Sequence, residues 1–237
     1  MFDQEDLCVD SFPVPPRRSL GVVVQPDGLA LAQASAPEKG CLHIQRWHWL
    51  ALQDAPKTHQ SLLAGWPDPT WLRNARHKAG CQAQDAALSI EDSRLRRLNL
   101  TLQSGLHLRD QVKAIEAELN RQLPWTLADT VWDFHTLPGP DGAQLAQQTQ
   151  RPAWLVAAMQ AQAVQHVEVL ATQRTWVAAC EHWCRAAGLW LMRLEPAWQA
   201  EARWQRQSSE VSRQDAQGLA ADLQARAGGL ALGVLAP

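Results

Sequence analysis

Residues 108–134 read LRDQVKAIEAELNRQLPWTLADTVWDF. Leu108, Val112, Ile115, Leu119 and Leu123 step by four or three residues, with Arg109, Asp110, Lys113, Glu116 and Glu118 elsewhere. That spacing is the apolar stripe of an amphipathic helix. Pro124 ends it, because proline brings no N–H to the helical ladder. Thr130–Leu137 then predicts a strand, so the stretch reads as helix, sharp stop, strand.

Toward the N-terminus, Ala86–Leu102 reads as extended, with Leu95, Leu98, Leu100 and Leu102 among Arg94, Arg96 and Arg97. Asp68 before Pro69 predicts an N-cap with proline in the first helical position. Trp71, Leu72 and Ala75 form that helix's stripe, and Gly80 supplies its stop. Leu20–Val24 and Leu29–Ala34 flank Gln25-Pro26-Asp27-Gly28, which predicts a hairpin. Cys41–Leu52 is a third strand of imperfect alternation, in which Trp47 and Trp49 share one face. Residues 1–19 read as an irregular, acidic and then proline-rich leader.

Toward the C-terminus, residues 138–142 form a turn and a Gln-rich loop runs to Gln150. A strand is expected at Ala153–Met159 and a long helix at Ala163–Ala187, carrying Val164, Val167, Leu170, Val177, Cys180 and Cys184. Leu189–Leu194 follows as a strand, Ala197–Gln207 and Asp215–Ala227 as helices, and Leu230–Leu235 as a last short strand. The class is α+β or α/β with mixed sheets.

The chain has 237 residues, is 46% hydrophobic and carries a net charge of −2, enough to bury a real core and too balanced for a nucleic-acid footprint. Twelve tryptophans and no tyrosine imply a dense core or an apolar contact surface. The acidic start is unlike a signal peptide, and no apolar run is long enough to span a bilayer. Five irregularly spaced cysteines fit free thiols in a reducing compartment.

Cys180 and Cys184, around Glu181, His182 and Trp183, could contribute two metal ligands from one helix face. A structural zinc needs a second pair, which is missing, and both cysteines continue the apolar stripe of their helix; the core reading is favoured. His135 and Asp133 project to one strand face, with no nucleophile motif nearby. GxSxG, GxxxxGK[ST] and GxGxxG are all absent, and Gly228-Gly229 reads as a turn.

Four stretches resemble the PilM family, the cytoplasmic actin-like components of type IV pilus assembly. They are Leu20–Leu31, like the family's opening hairpin; Glu116–Trp125 with Asp129–Phe134, like its acidic helix, Pro-aromatic stop and strand Asp; Ala187-Gly188-Leu189 with Glu195; and Gly229–Ala236, like its terminal segment. The resemblance implies a reduced actin-like (ribonuclease H-like) lobe with an inserted strand–helix–strand–strand (SHS2, 1C-type) subdomain. It divides the chain into a leader at 1–19, the first part of the base at 20–82, the insertion at 83–162 and the second part of the base at 163–237. Val23, Gln25 and Ala30 stand where the family has its phosphate-loop acid, glycine and lysine, so that loop is degenerate and no cofactor or metal is implied. Between Glu195 and Gly229 there is room for two helices but not for a second, ATP-binding lobe.

By this resemblance the chain would be a shortened, HofM/ComA-type scaffold of a pilus or DNA-uptake (competence) complex, without enzymatic activity. It would lie in the cytoplasm, peripheral to the inner membrane through its partner. That partner would be the N-terminal cytoplasmic peptide of a PilN-like bitopic membrane protein, docked in a groove. The implied contacts are Leu98, Leu100, Trp132, Asp133, Phe134, Leu194, Glu195 and Trp198. Pilus motor or PilO-like components would be reached only indirectly, nucleic acid would not be bound directly, and a homo-oligomer stays open. The alternatives are a degenerate actin-like ATP-binding protein and the cytoplasmic domain of a GspL-like secretion protein. The latter type continues into a transmembrane helix, which this sequence does not show before Pro237.

Overall fold

The computed structural model describes residues 17–36, 43–53, 55–58, 61–137, 164–207 and 221–235. The hairpin is present: β1 (Arg17–Val24) and β2 (Gly28–Ala36) pair antiparallel, closed by a bond from Gln25 N to Gly28 O of 2.8 Å. β1 thus begins inside the expected leader. β3 (His43–Ala51) pairs antiparallel with β2. Its imperfect alternation has a cause: Ile44 lies opposite Ala34 but Arg46 lies opposite Gln33, so Gln45 is an extra, bulged residue. Beyond the bulge, Trp47 and Trp49 therefore fall opposite Ala32 and Ala30.

Helix α1 (Pro69–Lys78) is capped as expected, Asp68 Oδ1 accepting from Thr70 N at 2.8 Å, and Gly80 adopts φ +72° after its end. The extended stretch after it is two strands, β4 (Asp85–Ile90) and β5 (Arg96–Gln103), separated by a 3-10 turn at Asp92–Arg94. Helix α2 (Leu108–Gln122) and strand β6 (Thr130–Thr136) follow.

Val164–Gln173, expected as the first half of a long helix, is instead strand β7. It is the central strand of a three-stranded antiparallel sheet of order β5-β7-β6. The two-residue period was present: Val167, Val169 and Ala171 face one side and pack with Leu100, Leu102, Ile115 and Leu119 under α2. It was masked because Leu170 and the following Val177 and Cys180 also satisfy a helical spacing. Helix α3 starts only at Arg174 and runs to Ala186. It is followed by β8 (Trp190–Pro196), α4 (Ala197–Gln207) and α5 (Ala221–Leu235).

β8 joins β4 in parallel and completes a five-stranded sheet of order β3-β2-β1-β4-β8. Sheet membership thus changes between Ile90 and Arg96 and again after Gln173, whereas the expected divisions stood at 82/83 and 162/163. The expected strand at Ala153–Met159 and the loop before it lie outside the described residues.

Both faces of the larger sheet are covered. Leu20, Val22, Leu29, Leu31 and Leu88 meet α1 and α3, where Trp66, Trp176 and Trp183 form an edge-on cluster with ring centroids 5.0 and 6.4 Å apart. Cys180 and Cys184 are fully buried in this layer, as the core reading has it. Each fully buried leucine contributes roughly 2 kcal/mol. The opposite face is small, formed by Val23, Ala30, Ala32, Ala34 and Ala87, and α5 lies on it. Leu230–Leu235, expected as a strand, is the second half of that helix. A buried helix of small apolar residues has no polar face to set its period, and a short apolar run then reads equally as strand. Gly228 and Gly229 lie inside the helix, not in a turn. A Cβ at Gly229 would overlap the carbonyl of Ala200 on α4.

Candidate functional site

The three-stranded sheet and the larger sheet each end in an edge strand, β6 and β8. A groove of about 300 Å³ runs between these two strands. Val131, Trp132, Asp133, Phe134 and His135 line one wall, and Leu191, Met192, Arg193 and Leu194 the other. Consecutive residues of a strand point to opposite faces, so a wall made of four or five in a row is a strand edge, not a sheet face. The floor comes from β7, through Leu170 and Thr172, and from α3, through Val177 and Glu181. On α3 those two are four residues apart and share a face. The Trp176, Cys180, Trp183 face points into the larger sheet instead.

Local chemistry shapes each wall. The bond from Leu137 N to His166 O, 2.8 Å, sets which β6 residues bond to β7. With alternate antiparallel pairs bonded, Thr130, Trp132, Phe134 and Thr136 turn their N–H and C=O groups away from β7. Two of those groups are occupied: Asp133 Oδ1 accepts from Phe134 N at 2.8 Å, and Arg174 Nη2 donates to Thr130 O at 3.0 Å. β8 carries a bulge. Leu191 lies opposite Ala86 and Arg193 opposite Ala87, so Met192 is the extra residue, and its side chain is 60% exposed in the groove wall. Trp190 on the same strand is 58% exposed.

The groove's charges are unequal in their compensation. Arg193 Nη1 lies 3.5 Å from Glu195 Oε2, and His135 Nε2 lies 3.2 Å from Oε2 of the fully buried Glu168, whose other oxygen takes Arg97 Nε. Asp133 and Glu181 have no cationic side chain within ion-pair distance among the described residues, so the β6 wall and the floor carry unpaired negative charge, while on the β8 wall Arg193 shares Glu195 with Arg203.

Of the residues expected at a partner site, Trp132, Asp133, Phe134 and Leu194 line the groove. Leu98 and Leu100 do not reach it: they pack on the opposite sheet face, against the cluster under α2. Glu195 is also turned away. It is buried and held by Arg203, which bonds both its oxygens and the Gly229 carbonyl at 3.0 Å. Trp198 sits under the guanidinium of Arg97, 4.8 Å from ring centroid to Cζ, and so links α4 to β5. Sequence reasoning missed Val177, Glu181 and Met192. The first two were legible as the off-core face of their helix; a bulge has no sequence mark here.

The residues at the expected phosphate loop sit at the end of β1 and in β2. Val23 and Ala30 are buried against α5. Val23, Gln25, Glu91, Asp92 and Arg226 border a second hollow of about 250 Å³. Arg226 is engaged by Glu201 at 2.6 Å and by Asp222 at 3.9 Å. Glu91 and Asp92 make the border of this hollow acidic, and the one cation among the residues lining it, Arg226, is already paired. Among the described residues no group of three or more His, Cys, Asp or Glu is placed to hold a metal ion, and no helix is long and apolar enough to cross a membrane.

No family model matches the chain, and no curated protein matches it. Solved structures do. A chain of a PilM–PilN type IV pilus biogenesis complex superposes with a TM-score of 0.57 at 16% identity, over 77% of this chain and 48% of that one. The cytoplasmic domain of EpsL, an inner-membrane component of the type II secretion system of Vibrio cholerae, matches with a TM-score of 0.45 at 15% identity, over 77% of this chain and 58% of that one. A Bacteroides thetaiotaomicron protein with an actin-like ATPase fold matches with a TM-score of 0.32 at 9% identity, over 77% and 52%. The chain thus shares the mixed α+β fold of a chain of the pilus complex and spans about half of that chain's length.

Proposed function

We propose that the chain is a non-enzymatic scaffold in an inner-membrane assembly machine for pili, DNA uptake or secretion. In this reading it holds the cytoplasmic N-terminal segment of a PilN-like membrane protein in the groove between β6 and β8. The observation that carries the reading is the groove itself, walled by two strand edges in a chain with the fold of a pilus complex. Extended peptides dock on such edges through main-chain bonds and alternate side-chain pockets, which requires no catalytic group. The strand–helix–strand–strand unit β5-α2-β6-β7 is then the SHS2-type insertion, and the base is a single actin-like lobe without the ATP-binding half. The protein acts in the cytoplasm and reaches the membrane, and motor or PilO-like components, only through that partner.

Titration with the N-terminal peptide of a PilN-like protein encoded beside this one tests the reading. Saturable binding that is lost in Val131→Arg and Leu194→Arg is the expected result. Absence of binding at high micromolar peptide, with the wild type folded, overturns it. Thermal stabilisation by ATP and Mg²⁺ would favour the nucleotide-binding alternative instead.

A further inference from the structure

The two walls of the groove differ in a way that defines its occupant. On β6, the outward N–H of Phe134 is taken by Asp133 and the outward C=O of Thr130 by Arg174. Among the described residues no side chain bonds the main chain of Leu191–Leu194 on β8, which has β4 on one side and the groove on the other. The β6 edge is therefore partly occupied by side chains, whereas the β8 edge is open along Leu191–Leu194. Apolar residues stand on both edges, Leu191, Met192 and Leu194 beside Arg193 on β8, and Val131, Trp132 and Phe134 beside Asp133 on β6. Glu181 sits on the floor between them.

We infer that the groove takes an extended segment added as a strand alongside Leu191–Leu194, with a lysine or arginine side chain directed at Asp133 and Glu181. The inference rests on the docking reading above and adds the edge used and the charge recognised. Main-chain pairing on β8 supplies affinity without regard to sequence. Apolar side chains of the segment meet Met192 and Leu194. A basic residue supplies the counter-charge that Asp133 and Glu181 lack, whereas an acidic one would meet two like charges.

A random hexapeptide display library, selected in parallel on the wild type and on a double variant Asp133→Asn, Glu181→Gln, tests this without presupposing the partner. Both substitutions are near-isosteric, and the first replaces the carboxylate with an amide whose oxygen still accepts from Phe134 N. Selection on the wild type is expected to enrich a basic residue flanked by apolar ones, with the enrichment lost on the double variant. The best peptide should bind the double variant about tenfold more weakly. Methylating its backbone nitrogens one at a time should abolish binding at alternate residues only. No enrichment, basic enrichment that survives in the double variant, or equal tolerance of methylation at every residue overturns the inference. If such peptides bind as expected while the PilN-like peptide does not, the partner is wrong and the recognition chemistry stands.

Discussion

Gly21 of β1 and Ala227 of α5 approach so closely that a Cβ on Gly21 would overlap the Ala227 carbonyl oxygen. Gly229 stands in the same relation to Ala200. The helix can lie this near the sheet only because both surfaces are built from glycine and alanine. Backbone atoms, not flexible side-chain ends, form the obstacle, so relief requires moving the helix. Gly21→Ala and Gly229→Ala are each expected to destabilise by about 2–3 kcal/mol, as other overpacked cores do. Gly65, whose surroundings are open, is the site for comparison, although its φ of +88° brings a separate backbone cost. Urea midpoints of the variants check the first pair.

Glu195 and Arg203 make a prediction that separates buried from exposed ion pairs. Glu195 is 4% exposed and receives Arg203, while Arg193, the other cation near it, is 42% exposed. Arg203→Ala leaves a buried carboxylate poorly compensated and should cost about 3 kcal/mol. Arg193→Ala should cost below about 1 kcal/mol, since an exposed pair is screened by water. Equal losses for the two in chemical denaturation would contradict this account.

How much of this was legible depends on whether an element had a polar side. Helix α2 has Lys113 and Glu116 against Ile115 and Leu119, so its period stands out. Helix α1 carries its own punctuation in Asp68, Pro69 and Gly80. The middle of strand β7 and residues Ala227–Gly233 of helix α5 are buried, and burial erases the contrast from which a period is read. Glu168 hides the alternation of β7 further: it is polar in sequence yet fully buried, paired with Arg97 of β5, with His135 of β6 3.2 Å from its other oxygen. The groove was half legible. Trp132, Asp133 and Phe134 were found as a motif, but Met192 enters through a register shift against β4, a property of the pairing and not of either strand.

The thiols give a pH dependence. Burial, then Cys184 beside it, pushes the Cys180 thiol up; burial and the charge of Glu181 push Cys184 up to about 12. In the unfolded chain both ionise near the ordinary value of 9.0. Their contribution is complete below that value and is lost as pH rises toward 12, because the unfolded state then holds fewer protons. Each thiol contributes up to about 1.4 kcal/mol of lost stability per pH unit in that window. The absence of tyrosine removes one common group that titrates there, which leaves the lysines besides the thiols. Urea midpoints at about pH 8 and about pH 10.5 should diverge, and less so in Cys184→Ala, whose own cavity cost shifts both midpoints together.

The Asp68 cap has a local readout. Asp68→Ala removes the acceptor for Thr70 N and Trp71 N and should cost about 1 kcal/mol. Asp68→Asn should retain most of it. Amide exchange at the first turn of α1 should rise in the alanine variant before exchange elsewhere does.

Ser19 on β1 donates its hydroxyl to the carbonyl of Ala231 on α5, across a separation of 212 residues. The helix that, with α4, covers this face of the larger sheet is thus made long after the strand it covers. During synthesis, Ala30, Ala32, Ala34 and Ala87 stay wet on that face until α5 emerges from the ribosome. The hairpin can form early, but the layer closes late and all at once, which makes folding slow for a chain of this size. Nascent chains arrested before α5 should therefore be sensitive to protease and bind chaperones, and release should bring resistance in a single step.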